Sequence, residues 1–256
     1  MDKKNKIALV TGANKGIGFE TAKQLAQLGY FVYLGSRNKV RGLEAVNKLK
    51  DLGISNVELI EIDVTNINSI KKARQELENK IDTLDVLINN AGIGGGMPQN
   101  ISEVNIENLR KVFETNFFGA VQTTQQFINL LKKSNEPVIV NVSSELGSLT
   151  VHNSTQNPNY KIYDAYSISK TALNAFTVML ANEFKNTNLP ALPTGQAGGR
   201  HGFKINSVSP GYTATDLNQF KGSQTVEQGA KSIVKFATLD GDGPTGKFFR
   251  EDEVPW

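Results

Sequence analysis

Residues 7–27 read IALVTGANKGIGFETAKQLAQ. Ile7 to Val10 is a short apolar run, Thr11 to Gly18 contains three glycines, and Ala22, Leu25 and Ala26 then recur at helical spacing. A strand, a glycine turn and an amphipathic helix thus follow one another without a linker. Glycines let such a turn tighten and let a ligand approach the backbone, while the free N–H groups and positive end of the helix attract an anion. The spacing is Gly-x3-Gly-x-Gly, which places Gly12, Asn14, Lys15, Gly16, Ile17 and Gly18 around a pyrophosphate.

The same alternation continues along the chain. Further apolar runs are Phe31 to Leu34, Val57 to Ile62, Leu84 to Ile88, Val138 to Val142 and Ile205 to Val208, with Phe248 and Phe249 as an expected last strand. Between them Leu43, Val46 and Leu49, and then Ile70, Ala73 and Leu77, repeat at helical spacing. Continuous apolarity in runs this short implies strands covered on both faces. Right-handed crossovers then give an α/β fold: a doubly wound parallel sheet of about seven strands with helices on both faces. Its ligand crevice is expected at the carboxyl ends of the strands. No repeat or linker splits the 256 residues, so a single domain over 1–256 is expected. Leu189 to Gly202 (LPALPTGQAGGRHG) interrupts the pattern and reads as a mobile surface loop. His152 to Asn159 is either a flap on the substrate side or a surface excursion.

Composition removes several classes of function. Apolar residues are 39% and charged residues 21% of the chain, which is globular usage rather than disorder. The net charge of +3 is spread over 28 basic and 25 acidic residues with no basic stripe, which argues against nucleic acid as a partner. With no cysteine there can be no disulfide, thiolate nucleophile or cysteine-held metal. His152 and His201 have no metal-binding spacing and read as solvated loop histidines, so no metal is assigned. The charged stretch Met1 to Lys6 runs into a strand without a signal-like or membrane-spanning segment, and a cytoplasmic protein is expected.

Each strand end carries a candidate ligand contact. The second strand ends in Leu34, Gly35, Ser36 and Arg37, where an acid would ordinarily receive the ribose hydroxyls of NAD. Arg37 can instead fork onto a 2′-phosphate, with Lys15 as a second charge, which favours NADP(H) over NAD(H). Asp63, with Val64 beside it, either accepts from the adenine amine or N-caps the following helix. Asn90, Ala91 and Gly92 leave room for a ligand against the fourth strand, and Gly94, Gly95 and Gly96 suit a flexible loop beside it.

Tyr166 and Lys170 lie four apart in a segment whose Ile168, Ala172, Ala175, Phe176 and Met179 suggest a helix, so both reach one site. A nearby ammonium lowers a tyrosine's pKa and equips it to exchange a proton with a carbonyl or alcohol. Ser144, or its neighbour Ser143, can bind the substrate oxygen after the fifth strand. Asn116 sits on an apolar helical stripe with Leu109, Val112, Phe113 and Ala120, where a buried amide needs partners. Pro210 and Gly211, with Thr213 and Thr215 beyond, form a turn after the sixth strand. Serine hydrolysis would need a positioned histidine and an elbow turn, and neither is visible.

Taken in order, TGANKGIG, NNAG, TNFFG, NVSS, YxxxK and the Pro-Gly turn resemble the short-chain dehydrogenase/reductase family over nearly the whole chain. That resemblance implies a Rossmann-like domain in which Ser144, rather than Ser143, is catalytic with Tyr166 and Lys170. It also implies that Asn116 holds a water linking the lysine to solvent, and that Pro210, Gly211, Thr213 and Thr215 orient a nicotinamide amide. TGANKGIG, Arg37, the widened Ser144 to Tyr166 interval and the ending GPTGKFFREDEVPW are most similar to monomeric, NADPH-dependent carbonyl reductases. The resemblance therefore implies reduction of a small-molecule ketone or aldehyde by a monomer, with a homo-oligomer as the alternative. The alternatives are an NAD-dependent alcohol, hydroxysteroid or sugar-alcohol dehydrogenase, and a non-catalytic dinucleotide-binding regulator; the complete Asn116, Ser144, Tyr166 and Lys170 set argues against the last.

Overall fold

The computed structural model describes residues 6–154, 163–185 and 202–256. The loop expected at 189–202, apart from Gly202, lies outside them, as do His201 and all but the first residues of the 152–159 stretch.

Seven strands form one parallel sheet: β1 (Ile7–Val10), β2 (Phe31–Ser36), β3 (Val57–Glu61), β4 (Val86–Asn89), β5 (Val138–Val142), β6 (Lys204–Val208) and β7 (Lys247–Phe249). Their order is β3-β2-β1-β4-β5-β6-β7. β1 pairs on one side with β2 (Ala8 opposite Val32) and on the other with β4 (Ala8 opposite Val86). The chain leaves β3 at one edge and returns at β4, so the direction of winding reverses between β1 and β4. Ligands of such sheets bind outside the strand ends at that reversal. The glycine turn after β1 and Asn90 to Gly92 after β4 flank it.

Two apolar cores cover the sheet. On one face pack Ala22 and Leu25 of α1 (Gly16–Gln27), Ala45 and Leu49 of α2 (Lys39–Asp51), and Ile233 and Phe236 of the helix Val226–Ala237. On the other lie Ile70 and Leu77 of α3 (Ile67–Glu78) and Phe127 and Leu131 of the helix Gly119–Leu131. The helix Asp164–Lys185 joins them there through Ala181 and Phe184. In chain order the remaining helices are α4 (Ile106–Phe113), α5 (Gly119–Leu131), α6 (Leu149–Asn153), α7 (Asp164–Lys185) and α8 (Val226–Ala237). Every residue of β4 and β5 is buried, as expected of strands covered on both sides.

α7 departs from the apolar stripe expected of it. Ile168 and Met179 are 40% and 68% exposed, and the inward face is Ser167, Ser169, Lys170, Asn174 and Thr177 together with Leu173. Polar groups face the sheet because the sheet answers them. Asn89 Nδ2 donates to Asn141 Oδ1 (2.8 Å) and Thr124 Oγ1 (2.9 Å), and Asn141 Nδ2 donates to Thr177 Oγ1 (2.8 Å). Thr177 Oγ1 also lies 2.8 Å from Ser207 Oγ. This buried chain of hydrogen bonds fixes the register of α7 on β4, β5 and β6. Asn141→Ala takes one partner from each of Asn89 and Thr177, leaving them Thr124 and Ser207, and is expected to cost about 1–3 kcal/mol, read as a lower urea midpoint with unchanged slope.

Candidate active site

The glycine turn is a cradle with no room for side chains. Gly12 has φ +63°, and a Cβ there would meet Ala91 Cα at 2.9 Å. A Cβ on Gly18 would sit 2.3 Å from Asn90 Nδ2. Asn90 is a clasp: its Nδ2 donates to the carbonyls of Thr11 (2.8 Å) and Gly12 (3.1 Å). Thr11 Oγ1 in turn accepts from the backbone N–H groups of Asn90 and Ala91. At the start of α1, Lys15 offers no side-chain cap and the first turn holds no acid. The helix end thus presents free N–H groups to an anion. Gly16 and Ile17 open that helix and Asn14 completes the turn before it.

The remaining dinucleotide candidates lie along the same edge. Arg37 follows β2 directly, is exposed, and has no hydrogen bond or ion pair to any described residue. Lys15 is different, because its ammonium is ion-paired with Asp216, which lies beyond β6. The second charge expected beside Arg37 is therefore already matched by a carboxylate. Asp63 does not cap α3; that cap is Asn66, and Asp63 Oδ1 accepts from the N–H (3.0 Å) and hydroxyl (2.8 Å) of Thr65. Val64 is buried against Gly119. In the turn after β6, Thr213 Oγ1 donates to Pro210 O (3.0 Å) and Gly211 has φ +73°. Thr215 then approaches Gly16, where a Cβ would lie 3.8 Å from its Cγ2.

Ser144 follows β5, and Tyr166 and Lys170 project from α7. The Ser144 side chain is hydrogen-bonded to the Tyr166 hydroxyl. Ser143 faces elsewhere, donating to Asn174 Oδ1 at 2.7 Å. Lys170 is buried; its Nζ donates to Val142 O (2.8 Å) and lies 5.6 Å from the centre of the Tyr166 ring. That placement overturns the expectation that the ammonium lowers the tyrosine's pKa. The cation rests over the ring, and burial pushes the hydroxyl up to about 12, against a smaller downward pull from Ser144. Burial also brings the Lys170 ammonium down to about 8.

Asn116 lies in a π-helical turn, Glu114–Phe118, between α4 and α5. Its side chain accepts from Ile93 N (2.8 Å) and donates to Ile93 O (3.0 Å) and Ser169 Oγ (3.0 Å). The partners of this buried amide among the described residues are protein groups, and through them the side chain joins the loop after β4 to α7. A Cβ on Gly92 would fall 3.4 Å from Asn116 Oδ1 and 3.6 Å from Lys170 Nζ, so Gly92 touches both. Two contributors carried no sequence signal: Gln99 is 1% exposed and accepts from Tyr166 N (3.1 Å), and Asn174 accepts from Ser143. Asn89 and Asn141, which open the NNAG and NVSS motifs, anchor the scaffold. His152 is not a solvated loop residue; it belongs to α6, with Nε2 2.7 Å from Leu146 O.

A sequence profile described as short chain dehydrogenase matches residues 6–225. The chain belongs to that family. Its members are oxidoreductases of carbonyl and alcohol groups that bind a nicotinamide dinucleotide, and the glycine cradle fits one. The chain is 33% identical to (+)-neomenthol dehydrogenase of Capsicum annuum, with 96% of each chain covered. That alignment runs over 317 positions, more than the 256 residues here, so the Capsicum protein carries segments this chain lacks. Identity to salutaridine reductase of Papaver bracteatum is 32%, over 98% of this chain and 96% of that one. Among solved structures, the Papaver somniferum salutaridine reductase superposes with a TM-score of 0.80 at 29% identity, covering 96% of this chain and 100% of that one. An NADPH-bound carbonyl reductase from chicken fatty liver gives 0.81 at 26% identity, covering 99% and 100%. No helix of the described residues is long and apolar enough to cross a membrane.

The site is costly to fold. Below about pH 8 Lys170 is charged in both folded and unfolded states, and its burial opposes folding; as pH rises from there towards 10.5, the folded group sheds its proton first and stability recovers. Lys170→Met should therefore be inactive yet more stable at neutral pH, by about 2 kcal/mol after the lost Val142 bond is discounted. Urea unfolding at neutral pH and near about pH 10 checks this, since the gain should shrink at the higher pH.

Proposed function

We propose that this protein is an NADPH-dependent carbonyl reductase that reduces a ketone or aldehyde with Tyr166 as proton donor. The observation that carries the chemistry is a Tyr166 hydroxyl held protonated by burial and joined to Ser144, on the sheet edge that bears the glycine cradle. Bound reduced nicotinamide would supply the hydride. The protein's own groups do the rest. Ser144 and Tyr166 receive the carbonyl oxygen, and Tyr166 passes it a proton as negative charge develops there. Lys170, 5.6 Å from the ring centre, holds its ammonium on Val142 O beside the site. Arg37, uncommitted and standing where an acid would select NAD, supports NADPH. The structural neighbour named as an NADPH-bound carbonyl reductase supports the same reading.

Loss of NADPH and, separately, NADH absorbance across menthone, an aromatic diketone such as benzil, aldehydes and steroids tests the reading. Tyr166→Phe should lower kcat by about 100-fold or more with cofactor affinity kept. Arg37→Asp should shift the NADPH-to-NADH preference by about 10- to 100-fold towards NADH. Tight cofactor binding without turnover on any compound, in either direction, would replace this reading with that of a dinucleotide-binding regulator.

A further inference from the structure

The segment after β7 has so far had no role, yet it reaches the residues that follow Ser144. Beyond Phe249 the chain doubles back: Phe249 forms an antiparallel bridge with Glu253, and Val254 N donates to Phe248 O at 2.7 Å. This hairpin carries Pro255 and Trp256 to the serine segment. Ser148 Oγ, with Ser148 fully buried, donates to Pro255 O at 2.6 Å. Thr150 meets Trp256 O twice, through its N–H (3.0 Å) and its hydroxyl (2.6 Å). The Trp256 ring stacks on the buried Phe248 of β7, with centroids 5.7 Å apart and planes at 24°. Arg250 sits at the base of the hairpin. It pairs with Glu145, the residue after Ser144, at 3.3 Å, and its Nε would be 3.1 Å from a Cβ on Gly211.

From the opposite side, α7 grips the same segment. Gly147 O accepts from Thr171 Oγ1 (3.1 Å) and Asn174 Nδ2 (3.2 Å), and a Cβ on Gly147 would strike the Lys170 backbone at 2.9 Å. Residues 144–150 are thus held between α7 and the 250–256 hairpin. Among the described residues, the Ser144 side chain is retained by the turn it begins, with Leu146 N donating to its Oγ at 3.2 Å, and by Tyr166. A hydroxyl so lightly tethered keeps its aim only if the turn behind it is fixed.

We propose that residues Arg250–Trp256 form a positioning clamp for Ser144, with Trp256 as its pin and Arg250 tying the serine turn to the Pro210–Gly211 turn. The inference rests on the reading of Ser144 as a group that binds the substrate oxygen. Trp256 touches neither Ser144 nor Tyr166 and acts through Thr150, so it is a positioning residue.

The test uses the whole protein and two readouts. Hydrogen exchange of the 144–153 amides in Trp256→Ala should rise about tenfold or more, with β1 and β4 unchanged; Trp256→Phe, which keeps the stacking, should restore protection. Thr150→Val should give the same direction and guards against a Trp256→Ala chain that fails to fold. The second readout is a double-mutant cycle on kcat with NADPH and the ketone that the wild type turns over fastest. If the clamp works through Ser144, Trp256→Ala lowers kcat in the wild-type background, leaves NADPH affinity unchanged, and has no further effect on Ser144→Ala. Unchanged exchange, or an equal loss in both backgrounds, overturns the clamp while leaving the serine reading intact. Full activity of Ser144→Ala overturns both.

Discussion

The buried hydrogen-bond chain from Asn89 through Asn141 to Thr177 and Ser207 is the constraint on which the site depends. An apolar helix face can slide on an apolar sheet at little cost, because dispersion and hydrophobic burial are only weakly directional. A helix that must satisfy amides and hydroxyls inside the protein has one register, since any other leaves polar groups stranded. α7 carries Tyr166 and Lys170, and its register sets where both stand relative to Ser144 beyond β5 and the turn after β6. Asn174 and Ser169, on the same inward face, extend that control to Ser143 and Asn116. The helix is thus specified by polar contacts near its catalytic end and by Ala181 and Phe184 at the other.

Much of the architecture was legible in the sequence because a parallel sheet leaves a direct trace: short unbroken apolar runs separated by amphipathic stretches. All seven runs became strands, with only their ends shifted, as when β2 ran on through Ser36 and β4 began at Val86 rather than Leu84. The chemistry-bearing positions were legible for another reason: the glycine turn, Ser144, Tyr166 and Lys170 sit at strand ends or a helical turn apart, where spacing alone implies proximity. What could not be read was the assignment of partners. Of the two readings of Asp63, the helix cap went to Asn66, which was better placed at the start of α3, and Asp63 Oδ1 took Thr65 instead. The apolar stripe of α7 announced a helix correctly but gave its orientation backwards, since sequence cannot tell that Asn89, Asn141 and Ser207 wait beneath it.

Electrostatics marks the sharper boundary. The four-residue spacing of Tyr166 and Lys170 implies closeness, and closeness implied a lowered tyrosine pKa. The actual balance turns on where the ammonium points, and Val142 O draws it towards the end of β5 while the phenol is desolvated. Likewise Lys15 and Arg37 look equivalent as letters, yet one faces Asp216 across the cleft and the other faces solvent. Charge neutrality is a property of neighbours, and neighbours 201 residues apart are invisible until the sheet brings their loops together.

The parallel sheet also has a second rim. Every strand begins at the edge opposite the cradle, and the links there into β2 and β3 are short turns: Gly29 and Gly53 have φ of +90° and +80°, with open space where a Cβ would be. Nothing assigned to ligand or proton handling lies on that side. Those turns therefore offer anchorage points for a surface or a fused partner, from which the opposite rim would stand free to meet its small molecules.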